Sequence, residues 1–339
     1  MHAPRPTRNR ERIAVVALSA IAVLAAGCGT GVASGEERAE AESVTVENCG
    51  RAVVVAGAPE AVVGMHPAQT ELLLRLGLAD RLAGQAQATA QALPADVAPL
   101  AADVPVIGEL MPPSREDLLA VEPDFVYSPT TYEFSTDRGF AGIDQLDEAG
   151  AAVYVATGGC GDRRMTGEVA DLFTDLANLG EIFGVQDEAA ALIAEHRAVL
   201  DEVAEAIADV DRLRVAQVYV EGGTLQAIGA GIEYDILRSA GADNVYTPEQ
   251  AAFADFFAAT ITPESLAAEA PEAIVFAGYD AEHEAATRDY LTSTFPDMPA
   301  VRADRLIAVS TADVFPGTLG NISAVRKIAE RLYPDAFRP

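Results

Sequence analysis

Ser114-Arg115-Glu116-Asp117-Leu118-Leu119-Ala120-Val121-Glu122-Pro123-Asp124-Phe125-Val126-Tyr127 reads as a short helix followed by a buried strand. Ser114 is placed to cap the helix, Glu116 lies in the first turn beside the positive end of the dipole, and Pro123 ends it. Phe125 to Tyr127 then has the aromatic and β-branched side chains that suit a strand. The same order returns 148 residues later as Thr262-Pro263-Glu264-Ser265-Leu266, Pro271 and a strand from Ala273 to Phe276. A single copy would reflect only the preference of glutamate for a helix start. Two copies predict two lobes of like construction, each presenting one acid on an equivalent face.

Around these segments, short apolar runs alternate with amphipathic helices closed by glycine, the pattern of α/β proteins. Strands are expected at Arg51–Val55, Ala61–Met65, Val104–Ile107 and Ala152–Val155, then at Val215–Val220, Leu225–Ile228 and Leu306–Val309. Helices are expected at Pro67–Leu76, near Gly142, and at Glu233–Ala240, Glu282–Thr292 and Ile322–Leu332. Between the two series, residues 168–183 read as one helix and Asp187–Val210 as a second. Ala189, Leu192, Ile193, Val199, Leu200, Val203 and Ile207 stripe that second helix,. The organisation predicted is a first α/β lobe over 44–184, a stiff linking helix over 185–210 and a second α/β lobe over 211–339. A helix transmits less bending than a Gly/Ser linker, so large hinge closure is not expected.

The N-terminus has a different composition. Arg5, Arg8, Arg10 and Arg12 precede an apolar run from Ile13 to Ala26, which is short for a bilayer span and marks residues 1–27 as an export signal. Leu24-Ala25-Ala26-Gly27-Cys28 resembles a bacterial lipobox, although its leucine is one place further from the cysteine than in the usual form. Cys28 is therefore the expected lipid attachment point, and the Gly-, Ala-, Ser- and Glu-rich residues 28–43 a tether. With Cys28 assigned, Cys49 and Cys160 remain, and in an oxidising compartment a leftover pair is expected to form a disulfide. Of 339 residues, 52 are acidic and 23 basic, a net charge of -29. Such a surface repels phosphate backbones, which argues against nucleic acid.

Several segments resemble the solute-binding proteins of ABC importers for ferric siderophores, haem and cobalamin. They are Met65-His66-Pro67-Ala68-Gln69-Thr70-Glu71 with Leu76-Gly77-Leu78-Ala79-Asp80-Arg81-Leu82, the run Val106-Ile107-Gly108, the segment from Ser114 to Tyr127, and Met298-Pro299-Ala300-Val301-Arg302-Ala303-Asp304-Arg305-Leu306. The resemblance implies an α/β fold of two Rossmann-like lobes joined by one long rigid helix, with a metal chelate held in the cleft between them. It implies an ABC permease and its ATPase subunits as partners, with Glu116 and Glu264 docking onto permease arginines. It further implies a monomer on the outer face of the cell membrane, touching lipid through Cys28 alone, without a cofactor and without enzymatic activity.

Open α/β sheets bind ligands at the carboxyl ends of their strands. Cleft candidates are accordingly His66, Tyr132, Glu133 and Arg138 from the first lobe, and Glu221, Tyr234, Phe253, Phe256, Tyr279 and Phe315 from the second. Met65, Gln85, Glu109, Phe134, Tyr219 and Gln226 are further candidates at the same strand ends. With Arg138 as the single cleft arginine beside acids, a hydroxamate-type chelate or cobalamin fits better than a strongly anionic catecholate. A bare Zn²⁺ or Mn²⁺ site would need several histidines; only His66, His196 and His283 follow the signal, so no metal centre is expected. An exported enzyme is the remoter alternative. The chain has no Gly-x-Gly-x-x-Gly, Gly-x-Ser-x-Gly, His-Glu-x-x-His or P-loop pattern,. Asn321-Ile322-Ser323 is formally a sequon and is better read as a helix cap.

Overall fold

The computed structural model describes residues 43–338; the export signal, Cys28 and nearly all of the tether lie outside them. The described residues begin with a hairpin, β1 (Ser43–Asn48) and β2 (Arg51–Ala56). Its two-residue turn is Cys49-Gly50, both at positive φ (51° and 68°), the conformation that matches hairpin twist. The hairpin lies against the edge of the first sheet. Asn48 donates to Val155 O at 2.7 Å and accepts from Val155 N–H at 2.8 Å, so its side-chain amide substitutes for a neighbouring peptide. Arg51 donates to Val153 O as well. An edge strand that would otherwise leave its ladder unpaired is covered in this way.

That first sheet is built from β3 (Val62–Gly64), β4 (Leu82–Gln85), β5 (Phe125–Ser128) and β6 (Ala152–Val155), all parallel, in the order β4-β3-β5-β6. Helices α1 (Pro67–Arg75), α2 (Arg115–Ala120) and α3 (Ile143–Glu148) make its crossovers. All four residues of β5 are buried, as a parallel strand covered on both faces requires. Val104–Ile107 forms no strand and contributes one bridge, Val106 to Gln85. Pro105 lacks the N–H that a longer ladder would need.

Two helices follow, α4 (Asp171–Phe183) and α5 (Gln186–Ala206). The first begins later than its sequence suggests. Glu168 N–H is drawn to the Asp171 carboxylate and Val169 N–H to Asp235, which holds that turn open. α5 has 21 residues, about 31 Å at the usual rise. Ala189 and Val203 are buried, and Leu192, Ile193, Val199, Leu200 and Ile207 are partly so.

The second sheet comprises β7 (Arg214–Glu221), β8 (Thr224–Ile228), β9 (Asp243–Asn244), β10 (Ala258–Thr260), β11 (Ala273–Gly278) and β12 (Leu306–Ser310). Its order is β10-β8-β7-β11-β12, and β9 joins the start of β7. It is mixed: β7, β9, β11 and β12 run parallel, while β8 and β10 are antiparallel to their neighbours. Its helices are α6 (Gly231–Ser239), α7 (Pro263–Glu269), α8 (Ala281–Thr294), α9 (Pro299–Arg302) and α10 (Gly320–Leu332). One apolar core runs from β5 through α4 and α5 to α6, α10 and the inner face of β7, β11 and β12. Separate clusters cover the outer face of each sheet. No helix among the described residues is long and apolar enough to cross a membrane.

The repeated motif folds twice in the same way. Ser114 Oγ accepts the N–H of Asp117 and Thr262 Oγ1 that of Ser265, each at 3.2 Å. Each helix ends in a residue at positive φ directly before proline, Glu122 (47°) and Ala270 (45°). Strands β5 and β11 then begin two residues after Pro123 and Pro271. Ser114→Ala and Thr262→Ala should each lower the unfolding free energy by about 1 kcal/mol, with additive effects, when measured by chemical denaturation.

Candidate functional site

The parallel strands of each sheet end on one edge, and the two edges meet. On the first-lobe side, β3 runs through Met65 into His66, the N-cap of α1. His66 Nδ1 accepts the N–H of Ala68 at 3.2 Å, so its hydrogen sits on Nε2. Burial pushes its pKa down to about 4, which keeps the ring neutral,. The ring stacks on Phe315 at 5.1 Å and 11°. Phe315 lies beyond β12, so this contact spans the lobes.

The strap carrying Phe315 is held from both sides. Asn321, in the first turn of α10, donates to Asp313 O (2.8 Å) and Phe315 O (2.9 Å); it lies inside the helix and is not its cap. From the first lobe, Gln69 donates to Gly317 O at 3.2 Å. Gly317 has φ +67°, and a Cβ there would fall 2.4 Å from the Ala156 methyl, so this crossing admits only glycine.

A second crossing lies after β6, in the loop from Thr157 to Ala170. It is tied at Thr157, whose N–H and hydroxyl donate to Asp175 of α4. It is tied again at Cys160, which forms a disulfide with Cys49, Cα–Cα 5.1 Å. A third tie is the ion pair of Arg163 with Asp171 at 2.6 Å. Held in this way, the loop presents Arg164 over Phe256 (4.5 Å to the ring centroid) and Phe257 (5.5 Å) of the second lobe. Met165 O accepts the N–H of Gly231 at the start of α6, and Val169 N–H donates to Asp235.

Other candidates are distributed around these crossings. Tyr132 is exposed after β5, edge-on to Phe140, with the exposed Arg138 guanidinium 5.0 Å from its ring. Glu221 ends β7, accepting from Tyr219 Oη at 3.0 Å. Tyr279 follows β11, more than half exposed, and stacks on His283 at 4.2 Å. Phe256 is exposed, and Tyr234 is half-buried on α6.

Two expected cleft residues point inward instead. Glu133 is buried and accepts from Thr130 Oγ1 (2.6 Å) and Ser128 Oγ (3.3 Å); burial raises its pKa. It closes its own loop. Phe253 is buried against Tyr246, and a Cβ at Gly229 would strike its ring at 2.6 Å, so it belongs to the second-lobe core. Met65 and Phe134 are likewise buried, and Gln85 donates to Ala101 O and Val104 O.

Arg164 is not among the cleft residues expected from sequence. Its signal is Arg163-Arg164 in the loop leaving a parallel strand, in a chain otherwise poor in basic residues. Arg138 and Arg164 have no carboxylate partner among the described residues, and no trio of His, Cys, Asp or Glu there could hold a metal ion. Each histidine among the described residues already has a partner: His66 holds Ala68, His196 Nδ1 meets Leu192 O, and His283 Nε2 meets Val220 O.

Residues 62–311 match the family described as periplasmic binding protein. The uncharacterized ABC transporter substrate-binding lipoprotein YvrC of Bacillus subtilis is 24% identical over 334 residues, covering 95% of this chain and 97% of its own. A periplasmic binding protein from Veillonella parvula superimposes with a TM-score of 0.75 at 25% identity, over 86% of this chain and 98% of that one. An ABC-type Fe3+-hydroxamate transport system structure from Saccharomonospora viridis gives 0.69 at 23% identity, over 85% and 98%.

Asp175, which anchors the Arg164 loop, is fully buried. Burial pushes its pKa from 3.8 up to about 7, against the pull of the Thr157 and Tyr154 donors. A carboxyl raised on folding stabilises the protein fully below its unfolded pKa and loses that contribution as pH rises through the folded value. Asp175→Asn should therefore gain stability relative to the unmodified protein as pH goes from 4 to 7, read as the difference between their melting temperatures across that range.

Proposed function

The chain belongs to the periplasmic binding protein family, and from that premise we propose that it is the solute-binding lipoprotein of an ABC importer. It is anchored outside the cell membrane through Cys28, captures a ferric siderophore-type chelate, cobalamin or haem between its lobes, and hands the ligand to a permease coupled to ATPase subunits. A monomer suffices for this task. The observation that carries the reading is the chemistry of the facing edges: the exposed rings of Tyr132 and Phe256 lie under Arg138 and Arg164, which have no carboxylate partner among the described residues, and Tyr279 is exposed on the second edge. Flat apolar walls with a few charge-assisted donors suit a bulky chelate whose oxygens are already bound to metal. A naked divalent ion needs ligands directed at one point, whereas the three histidines among the described residues lie apart, each with its own partner. Among chelates we favour a hydroxamate type, in keeping with the Fe3+-hydroxamate transport system of Saccharomonospora viridis and with Glu221 at the second edge.

Thermal-shift titration of protein truncated before Cys28 tests the ligand class. A ferric hydroxamate at about a hundredfold over its Kd should add roughly 2.7 kcal/mol of stability. Stabilisation by Zn²⁺ alone, with no response to ferric chelates, haem or cobalamin, would refute the reading.

Docking to the permease rests on the repeated motif. Glu116 and Glu264 occupy the second position of α2 and α7, and both are exposed. Among the described residues Glu116 is tied only to its exposed neighbour Arg115, at 3.1 Å. A surface pair of that kind contributes little, leaving the carboxylate available to a partner's arginine. Glu116→Ala combined with Glu264→Ala should leave ligand affinity within about twofold and abolish uptake in cells; normal uptake would sink the docking assignment.

A further inference from the structure

Charge is distributed unequally across the cleft. The first-lobe edge presents Arg138 and Arg164, neither of which has a carboxylate partner among the described residues. The second lobe contributes Glu221, more than half exposed, whose one ion-pairing contact among the described residues is His283 at 3.5 Å. Three aromatic rings gather around that carboxylate. Tyr219 donates to it at 3.0 Å. His283 is buried, with Nε2 2.7 Å from Val220 O and thus protonated there, and its ring supports Tyr279 at 4.2 Å and 15° and faces Tyr219 at 5.4 Å. Tyr279 leaves one face open to solvent. Both tyrosines feel the Glu221 charge: burial and then this carboxylate raise the pKa of Tyr219, pushed up to about 12, and that of Tyr279, where Asp280 and Glu282 act in the same sense.

The cluster sits where a ligand would meet it. β7, β11 and β12 are parallel neighbours, so Glu221 and Tyr279 leave the same sheet edge from which the strap after β12 carries Phe315 to His66. Tyr219 and Glu221 are two apart on β7 and share a face, the one on which Tyr219 packs against the core common to both lobes.

We propose that Glu221, with Tyr219 and Tyr279, forms a subsite for a protonated amine, so that the transported chelate carries a cationic arm. A carboxylate whose nearest basic group is a histidine already donating to Val220 O, flanked by a hydroxyl donor and the electron-rich face of a tyrosine, attracts an ammonium both as an ion pair and through the ring,. An arm of opposite charge would be repelled. The arginines across the cleft would meet the electron-rich metal-bound oxygens, giving the ligand one orientation. This inference rests on the chelate reading and narrows it to amine-bearing members of that class.

The test uses two ferric trihydroxamates identical except that a terminal primary amine is free in one and acetylated in the other, titrated calorimetrically. The free amine should bind about tenfold more tightly, and Glu221→Gln should erase the difference between the two chelates. Tyr279→Ala should lose part of the preference. Equal binding of both chelates by the unmodified protein would overturn the amine subsite and leave the chelate reading standing. If neither binds, the chelate reading fails and butylammonium chloride decides the subsite alone, followed on the Tyr279 and His283 ring resonances by NMR. Saturable shifts that vanish in Glu221→Gln would support it, and their absence would overturn it.

Discussion

Parallel pairing is the constraint on which this molecule depends. A parallel strand cannot turn back on itself, so each successor is reached through a crossover that covers the sheet, and every strand ends on one edge. β3, β5 and β6 do this in the first lobe and β7, β11 and β12 in the second. Strand ends and loops at such an edge are less bound by core packing than the strands themselves and present His66, Tyr132, Arg164, Glu221 and Tyr279 along the facing edges,. Helices α4, α5 and α10 then bind the two sheets through one continuous apolar core, which brings the edges face to face.

The facing edges are joined at two points of different character. The first combines a neutral histidine stacked on Phe315 with a glutamine bonded to a glycine carbonyl. It is uncharged, so salt has little purchase on it. The second is a loop under three restraints, one of them covalent, that ends in an arginine over two phenylalanines. A side chain as long as arginine samples many rotamers unless its backbone is held. The Cys49–Cys160 bridge and the Asp175 bonds hold that backbone, so a hairpin remote from the cleft contributes to its shape. With helix α5 between the lobes and contacts on both flanks, small adjustments at the rim suit this architecture better than a wide hinge.

Much of the fold was legible because local signals agreed with one another. Ser114 and Thr262 cap their helices, Pro123 and Pro271 close them, and each strand follows on schedule. The departures have local causes too. Pro105 reduces an expected strand to one bridge, and the Asp171 and Asp235 carboxylates delay the start of α4. Strands β1, β4, β9 and β10 are not among those expected from sequence: the last three have two to four residues, without the β-branched or aromatic run that marks β5 and β6, and β1 becomes a strand only through its pairing with β2,.

The site was legible in part, and the division is physical. From composition and order alone come an acidic α/β body, two lobes of matched construction, and the strand ends where chemistry would gather, because these follow from residue content, local propensity and periodicity. Which way a loop side chain turns follows from neighbours distant in sequence. Glu133 turned inward to the hydroxyls of Ser128 and Thr130, Phe253 filled the space that Gly229 leaves open, and Arg164 reached Phe256 only because Cys49 and Asp175 hold its loop. Burial and long-range contact decide such orientations, and they exist only once the chain has folded.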